Sequence, residues 1–205
     1  CFFMNQSDPE AALETIVDLV SRRLPVRYGY NPVTDIQVLS PMHKGILGTE
    51  SLNAALQKEL NRTSRFISRG QYRFSVGDKV MQVRNNYDLG VFNGDIGTIV
   101  AITEDSELQV DIDGSMVNYS SRDIDELMPA YCISIHKSQG CEFKAVVIPV
   151  STQHFVMLQR NLIYTALTRA RQLCVFVGTP RALSIAVNNN KALMRNSSLR
   201  MRLIG

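Results

Sequence analysis

Apolar and polar positions along this chain change rhythm twice. The first four residues form a short apolar run that reads as a buried strand. Ser7-Asp8-Pro9-Glu10 then opens a helix: either Ser7 caps it with Glu10 returning the bond, or Asp8 caps it with Pro9 in the first turn. Leu13, Ile16, Val17 and Val20 fall on one helical face and should pack on a sheet, with Pro25 and the segment 28–32 ending the helix. A second strand is expected over 35–40, stopped by Pro41. A loop with Gly45 and Gly48 follows, then a helix over 49–61 whose inward stripe is Leu52, Ala55, Leu56 and Leu60. Strand, helix, strand, loop, helix is the rhythm of a parallel sheet.

From 74 to 127 the helical period disappears. Short β-rich runs over 79–84, 94–103, 108–112 and 115–119 alternate with Gly77-Asp78, Asn93-Gly94 and Asp113-Gly114. Asx-Gly pairs between such runs signal hairpins, because two successive positive φ angles suit these residues. About 50 residues of this kind make a small barrel, too small for an enzyme of its own. After Pro129 the first rhythm returns, with strands over 144–150 and 173–178 and helices over about 156–168 and 180–187. The economical architecture is one α/β domain with a parallel sheet, interrupted by a small β-barrel. There is no internal repeat and no low-complexity tract.

Composition changes this picture little. The 205 residues are 45% hydrophobic and 20% charged, as in an ordinary globular protein. No run is long enough to span a bilayer and no signal-peptide pattern is present, so the expectation is a cytoplasmic protein without membrane partners. The chain begins at Cys1 rather than Met, and is expected to be a piece of something longer. A net charge of +3 does not by itself establish nucleic-acid binding. Any basic footprint must be local, and Arg169, Arg171, Arg181, Lys191, Arg195, Arg200 and Arg202 mark the C-terminal part. Cys1, Cys132, Cys141 and Cys174 have no C-x-x-C spacing and read as reduced thiols. His43, His136 and His154 form no H-x-x-x-H pair, so no metal site is expected.

Three stretches carry chemistry. Arg169 sits at the end of a helix whose apolar face includes Leu162, Ile163, Ala166 and Leu167. A planar, permanently charged fork there suits the spread charge of a transferring phosphoryl group. The alternative is a surface arginine that complements a helix C-terminus. Arg171, two residues on, points elsewhere and should have a separate role. The turn 134–142 gathers an imidazole, an ammonium, hydroxyl and amide groups, a glycine and a carboxylate. Gly140 would allow close backbone approach to a ligand, Glu142 could accept from ribose hydroxyls, and Ser134, His136 and Lys137 could meet the phosphates of a strand. The alternative for a histidine beside a strand is a hydrogen-bonded structural role. Lys44, in a Gly-containing loop just before a helix N-terminus, marks an anion site. Nowhere is there a G-x-x-x-x-G-K-[ST] phosphate loop, so the chain should lack the main cradle for a nucleotide.

Taken in order, these segments resemble the second motor lobe of a superfamily-one helicase, most closely the RecD family: the alpha subunit of exodeoxyribonuclease V and its stand-alone relatives. Residues 36–61 resemble helicase motif IV. The stretch 134–150, with His-Lys-Ser-Gln-Gly-Cys-Glu-Phe, resembles motif V, and 160–171, with Leu-Ile-Tyr-Thr-Ala-Leu-Thr-Arg-Ala-Arg, resembles motif VI. The β-rich part, above all 76–88 and 91–97, resembles the SH3-like subdomain these enzymes insert. The resemblance implies a RecA-like lobe of the P-loop NTPase type, without its phosphate loop, over 1–65 and 129–205, and an inserted SH3-like β-barrel over 66–128. It implies ATP and Mg2+ held mostly by an N-terminal lobe of the same chain. Arg169 would be the finger toward the γ-phosphate, with Lys44, Gln139, Gly140 and Glu142 near the nucleotide. Single-stranded DNA would meet Ser134, His136 and Lys137, and other exodeoxyribonuclease V subunits are implied partners. The family moves 5′ to 3′ and serves recombination and repair; this lobe alone should be inactive. Conjugative relaxase-helicases share motifs V and VI. A competing reading is a non-enzymatic module whose barrel docks protein or nucleic acid. A phosphate loop and a D-E pair encoded upstream of Cys1 would separate the two.

Overall fold

The computed structural model describes residues 1–152 and 157–189. His154 and the basic residues from Lys191 onward lie outside them. The first half of the lobe comprises β1 (Phe2–Asn5), α1 (Pro9–Asp18), α2 (Leu24–Tyr28), β2 (Ile36–Ser40) and α3 (Thr49–Leu60). The second half comprises β10 (Cys132–Ser134), β11 (Phe143–Val150), α4 (Arg160–Leu167), β12 (Ala170–Gly178) and α5 (Pro180–Asn188). The strands form a five-stranded parallel sheet in the order β1-β12-β11-β2-β10. α1 and α3 bury Ile16, Leu52 and Leu56 against one face, joined by Val20 from the turn that follows α1. α4 and α5 bury Leu162, Ala166, Ala182 and Ala186 against the other. Because both faces are covered, β2 and most of β11 are continuously buried rather than alternately exposed.

Local chemistry accounts for several boundaries. Of the two caps open at the start of α1, Asp8 is used: its Oδ2 accepts from the Ala11 amide at 2.8 Å, with Pro9 in the first turn. Pro25 does not end the helical segment. A π-helical turn, Leu19–Arg23, precedes it, so the ring enters as the first turn of α2. Gly29, at φ 68°, then closes α2 by donating to the Pro25 carbonyl. β1 is a strand but not a buried one: Phe2 is 56% exposed, because β1 lies at the sheet edge and pairs only with β12. The opposite edge, β10, is covered differently. The Asn53 side chain donates to the Cys132 carbonyl (2.7 Å) and accepts from its amide (2.8 Å), standing in for a further strand.

The β-rich part holds the hairpin β3 (Ile67–Arg69) and β4 (Tyr72–Phe74). Next come β5 (Lys79–Gln82), β6 (Ile96–Ile102), β7 (Leu108–Ile112), β8 (Ser115–Tyr119) and β9 (Leu127–Pro129). The last five form an antiparallel sheet ordered β8-β7-β6-β5-β9 around Phe74, Ile99, Leu108, Val110 and Tyr119. Asp113 and Gly114 make the expected two-residue hairpin, both at positive φ, with Ile112 opposite Ser115. The Asn93-Gly94 pair instead closes a longer excursion from β5, pinned by a bridge between Asn86 and Val91.

Polar links fasten this part to the lobe. Asp78, 1% exposed, accepts from the Ser75 amide, Gln57 and Asn61 of the α3 end, and the Tyr131 hydroxyl. The Gln37 amide donates to the carbonyls of Ala130 and Tyr131, where the chain re-enters the lobe. Lys79 reaches the Ile36 carbonyl. Met81 of β5 lies in the lobe's own apolar cluster. Among the described residues no helix is long and apolar enough to cross a membrane.

Candidate nucleotide and nucleic-acid interface

Arg169 stands between the C-cap of α4, Thr168, and the start of β12. Its Nη1 donates to the Cys141 carbonyl at 3.0 Å, its Nε to the Thr165 carbonyl at 3.3 Å and its Nη2 to the Thr168 hydroxyl at 3.3 Å. Its own carbonyl accepts from the Phe143 amide at 2.8 Å. The side chain is half-buried against the turn that precedes β11. Every one of these acceptors is neutral, and no ion pair of the described residues includes Arg169. A guanidinium oriented by carbonyls and left without a counter-ion keeps its charge available to an incoming anion.

Arg171 does something else. It pairs with Glu142, Nε to Oε2 at 2.8 Å, both side chains being well exposed. That pair leaves Glu142 with one carboxylate oxygen turned to no arginine. Gly140 is exposed at φ +88°, and an added Cβ would meet nothing within 4 Å. The glycine is therefore required by the backbone bend rather than by crowding. Gln139 beside it is exposed, and its amide donates to the His136 carbonyl. Burial pushes the Cys141 thiol up from its ordinary range, the nearby Arg169 opposing.

The sheet register separates the candidate residues into two groups. Ser134 ends β10 opposite Ser40, the last residue of β2. Phe143 begins β11 opposite Ala170, the first residue of β12. The turn 135–142 therefore runs back along the sheet from strand C-termini to strand N-termini. Cys141, Glu142, Arg169 and Arg171 gather at the N-terminal edge. Ser134 lies at the opposite edge, with 136–140 between.

Lys44 does not join Arg169. Its loop follows Ser40, at the edge where Ser134 lies, and its side chain is exposed. Nor is the N-terminus of α3 open to an anion there. The Thr49 and Glu50 amides already donate to the carbonyls of Met42 and His43 as the loop folds over the helix. Gly48 makes that fold possible, since a Cβ would lie 2.5 Å from the His43 carbonyl oxygen. Ser134 is buried, and its hydroxyl accepts from the Lys137 amide at 3.4 Å, so it shapes the turn rather than facing solvent. His136 is exposed. Lys137 is half-buried with its Nζ 3.3 Å from the Met128 sulfur of β9, and burial lowers its pKa from the usual lysine value. Among the described residues no group of three or more His, Cys, Asp or Glu side chains is placed to hold a metal ion.

Residues 52–112 match the ATP-dependent RecD-like DNA helicase SH3 domain family, and residues 129–177 match the UvrD-like helicase C-terminal domain family. The chain is 36% identical over 168 residues to an ATP-dependent RecD2 DNA helicase of Deinococcus radiodurans, covering 82% of this chain and 23% of that protein. It is 29% identical over 147 residues to the RecBCD enzyme subunit RecD of Haemophilus influenzae, covering 69% and 21%. It thus spans about a quarter or less of the length of these relatives. In fold it is similar to the Pif1 helicase from Bacteroides, crystallised with ADP-AlF3 and single-stranded DNA. That likeness has a TM-score of 0.53 at 21% identity and covers 83% of this chain and 49% of the other. The ordered parallel-sheet lobe, the β-rich unit and these matches agree: the chain belongs to the RecD-like family of superfamily-one helicases and corresponds to their C-terminal motor region.

Proposed function

We propose that this chain is the second motor lobe of an ATP-dependent DNA helicase that moves 5′ to 3′ along a single strand in recombination and repair. The observation that carries the reading is Arg169, oriented by the Cys141 and Thr165 carbonyls and without a carboxylate partner among the described residues. ATP and Mg2+ would be held mostly by an N-terminal lobe of the full-length protein. Arg169 would reach the γ-phosphate, where a fixed guanidinium offsets the charge that grows as the bond to the leaving oxygen breaks. Gln139, Gly140 and Glu142 would line the nucleotide, Glu142 held in place by Arg171. His136 and Lys137 would meet DNA phosphates, with Ser134 shaping their turn, and Lys44 is better suited to that side than to the nucleotide. We draw the inserted SH3-like unit at 66–128 and the lobe at 1–65 and 129–205. In a relative of the RecBCD kind, the further partners would be the other subunits of that enzyme.

The test is unwinding by the full-length protein of duplexes bearing a 5′ or a 3′ single-stranded tail, with ATP and Mg2+. ATP-dependent unwinding of the 5′-tailed substrate alone is expected. Absence of unwinding on both would reject the motor, and preference for the 3′ tail would reject the polarity.

A second expectation concerns binding. His136→Ala and Lys137→Ala should each weaken single-strand affinity several-fold at low salt. Lys137→Ala should also reduce the slope of log K against log salt by about 0.7, the value for one lost phosphate contact on a single strand. Titration at several salt concentrations reads both, and unchanged slopes would exclude Lys137 from the DNA path. Because burial lowers the Lys137 pKa, its contribution should also fade at lower pH than that of a solvated lysine as the solution is made alkaline.

A further inference from the structure

Lys79 opens β5 and is 3% exposed, yet among the described residues no carboxylate lies at ion-pairing distance from its ammonium. Its Nζ donates to the Ile36 carbonyl at 3.2 Å and lies 5.4 Å from the centre of the Phe143 ring. Asp35, next in chain to Ile36, is already engaged by Lys144 at 2.9 Å. A buried ammonium is costly, and a methionine would fill the same volume without that cost. What the ammonium adds is a directional contact to two neighbouring strands at one level. Ile36 starts β2, and Phe143 starts β11, two residues before Ala145, the partner of Ile36. Phe143 in turn donates its amide to the Arg169 carbonyl and follows Glu142 directly. On the barrel side, the Lys79 carbonyl accepts from the Ala130 amide at 2.8 Å, so backbone and side chain of one residue hold both units.

We propose that Lys79 is a positioning residue that pins the β-rich unit to the sheet edge carrying Arg169 and Glu142, so that DNA engaged along the turn and barrel is communicated to the hydrolytic site through Phe143. The inference rests on the helicase reading of that edge. DNA binding that shifts β5 would move the ring and carbonyl contacts of the pin, and with them the start of β11 that fixes the Arg169 backbone.

The electrostatic setting offers a readout that a purely structural role would not give. Burial brings the Lys79 pKa down to about 7, with Asp35 and Cys141 acting to raise it. Lys144 faces the same Asp35, and Arg169 and Asp95 face Cys141. In the unfolded chain the proton is held up to the usual 10.5. Between about pH 7 and that value the unfolded chain binds the extra proton, so this residue makes the folded form gain stability as pH rises. Well below pH 7 the ammonium pin is fully charged; about half of it is charged near pH 7, and the charge is progressively lost above that.

The experiment is ATP hydrolysis by the full-length protein, with and without single-stranded DNA, from pH 6 to 9. Lys79→Met should leave KM for ATP and the DNA-free rate within about twofold while cutting the stimulation by DNA about tenfold, a coupling loss rather than a loss of chemistry. The unmodified protein should show an inflection in DNA stimulation near pH 7 that the variant lacks. Phe143→Leu, which removes the ring and keeps an apolar side chain, should lower stimulation in the same way, and it carries the test should Lys79→Met fold poorly. Undiminished stimulation in the variants, or equal losses with and without DNA, would overturn the pin while leaving the helicase reading standing. An unmodified protein with no DNA-stimulated hydrolysis would overturn both.

Discussion

Arg169→Ala in the full-length protein should lower kcat for ATP hydrolysis by about a thousandfold while ATP affinity changes only a few-fold. The asymmetry follows from where the charge is needed. On the proposed reading, ground-state ATP would be bound mainly by the phosphate loop and metal of another lobe, whereas a guanidinium reaching it from this lobe would matter most as charge shifts during bond breaking. Arg169→Lys should recover little of the loss. The present geometry uses Nε for the Thr165 carbonyl and Nη1 for the Cys141 carbonyl, and a lysine has one nitrogen for both tasks and for the phosphate. The structural contribution of the residue is small by comparison. The acceptors it leaves are partly exposed and can be hydrated, so stability should fall by about 1 kcal/mol. Single-turnover hydrolysis at saturating ATP, with a melting curve beside it, separates the two effects. Turnover within a few-fold of the unmodified protein would remove Arg169 from the chemistry.

Much of this arrangement is legible in the residues, and what is not has identifiable causes. Helical spacing locates α1 and α3, and Asp113-Gly114 gives a true two-residue hairpin, because these signals depend on local conformation alone. The exposure of β1 is illegible because an edge strand and a central strand of a parallel sheet have the same apolar run. Pro25 misleads because a π turn one step upstream moves the ring to a tolerated position. The candidate site divides for a related reason. Residues 134–142 are contiguous in the chain, but they connect two parallel strands and so must travel from one edge of the sheet to the other. Chain proximity thus overstated the association of Ser134 with Glu142. The case for Lys44 rests on its loop and helix N-terminus, and the length of β2 separates that loop from the edge that carries Arg169. Arg169, Cys141 and Glu142 do assemble, since the starts of β11 and β12 are neighbours. The polar residues that fasten the two units, Gln37, Asp78 and Lys79, carry no such signal. Asp78 reads as half of a turn pair, and only the packing of α3 over it makes it a buried centre.

Asp78→Ala should destabilise the protein by about 3–5 kcal/mol, the range expected when several buried donors lose a charged acceptor together. Four groups converge on this carboxylate: the Ser75 amide at 2.7 Å, Gln57 Nε2 at 2.6 Å, Asn61 Nδ2 at 2.7 Å and the Tyr131 hydroxyl at 2.9 Å. They come from the α3 end, the turn before β5 and the link between β9 and β10, so the loss falls on the joint rather than on one element. Tyr131 cannot adapt by giving up its proton. Burial, and then the carboxylate itself, hold its phenol far above the usual range, and without Asp78 it remains a buried donor. Gln57 and Asn61 keep second acceptors in the Arg73 and Val76 carbonyls, which limits the cost below four full desolvation penalties. Asp78→Asn should cost about half as much, since one oxygen still accepts while the new amide group faces donors. At roughly 2–4 °C per kcal/mol for a chain of this size, Asp78→Ala should melt about 10 °C lower. The informative part is which protons exchange. If Asp78 joins the units as argued, amides of β5 and of the α3 end should lose protection together in native-state hydrogen exchange, because opening either one breaks the same set of bonds. Loss confined to the barrel strands, with α3 protection unchanged, would mean the two units open independently and the joint is not what holds them.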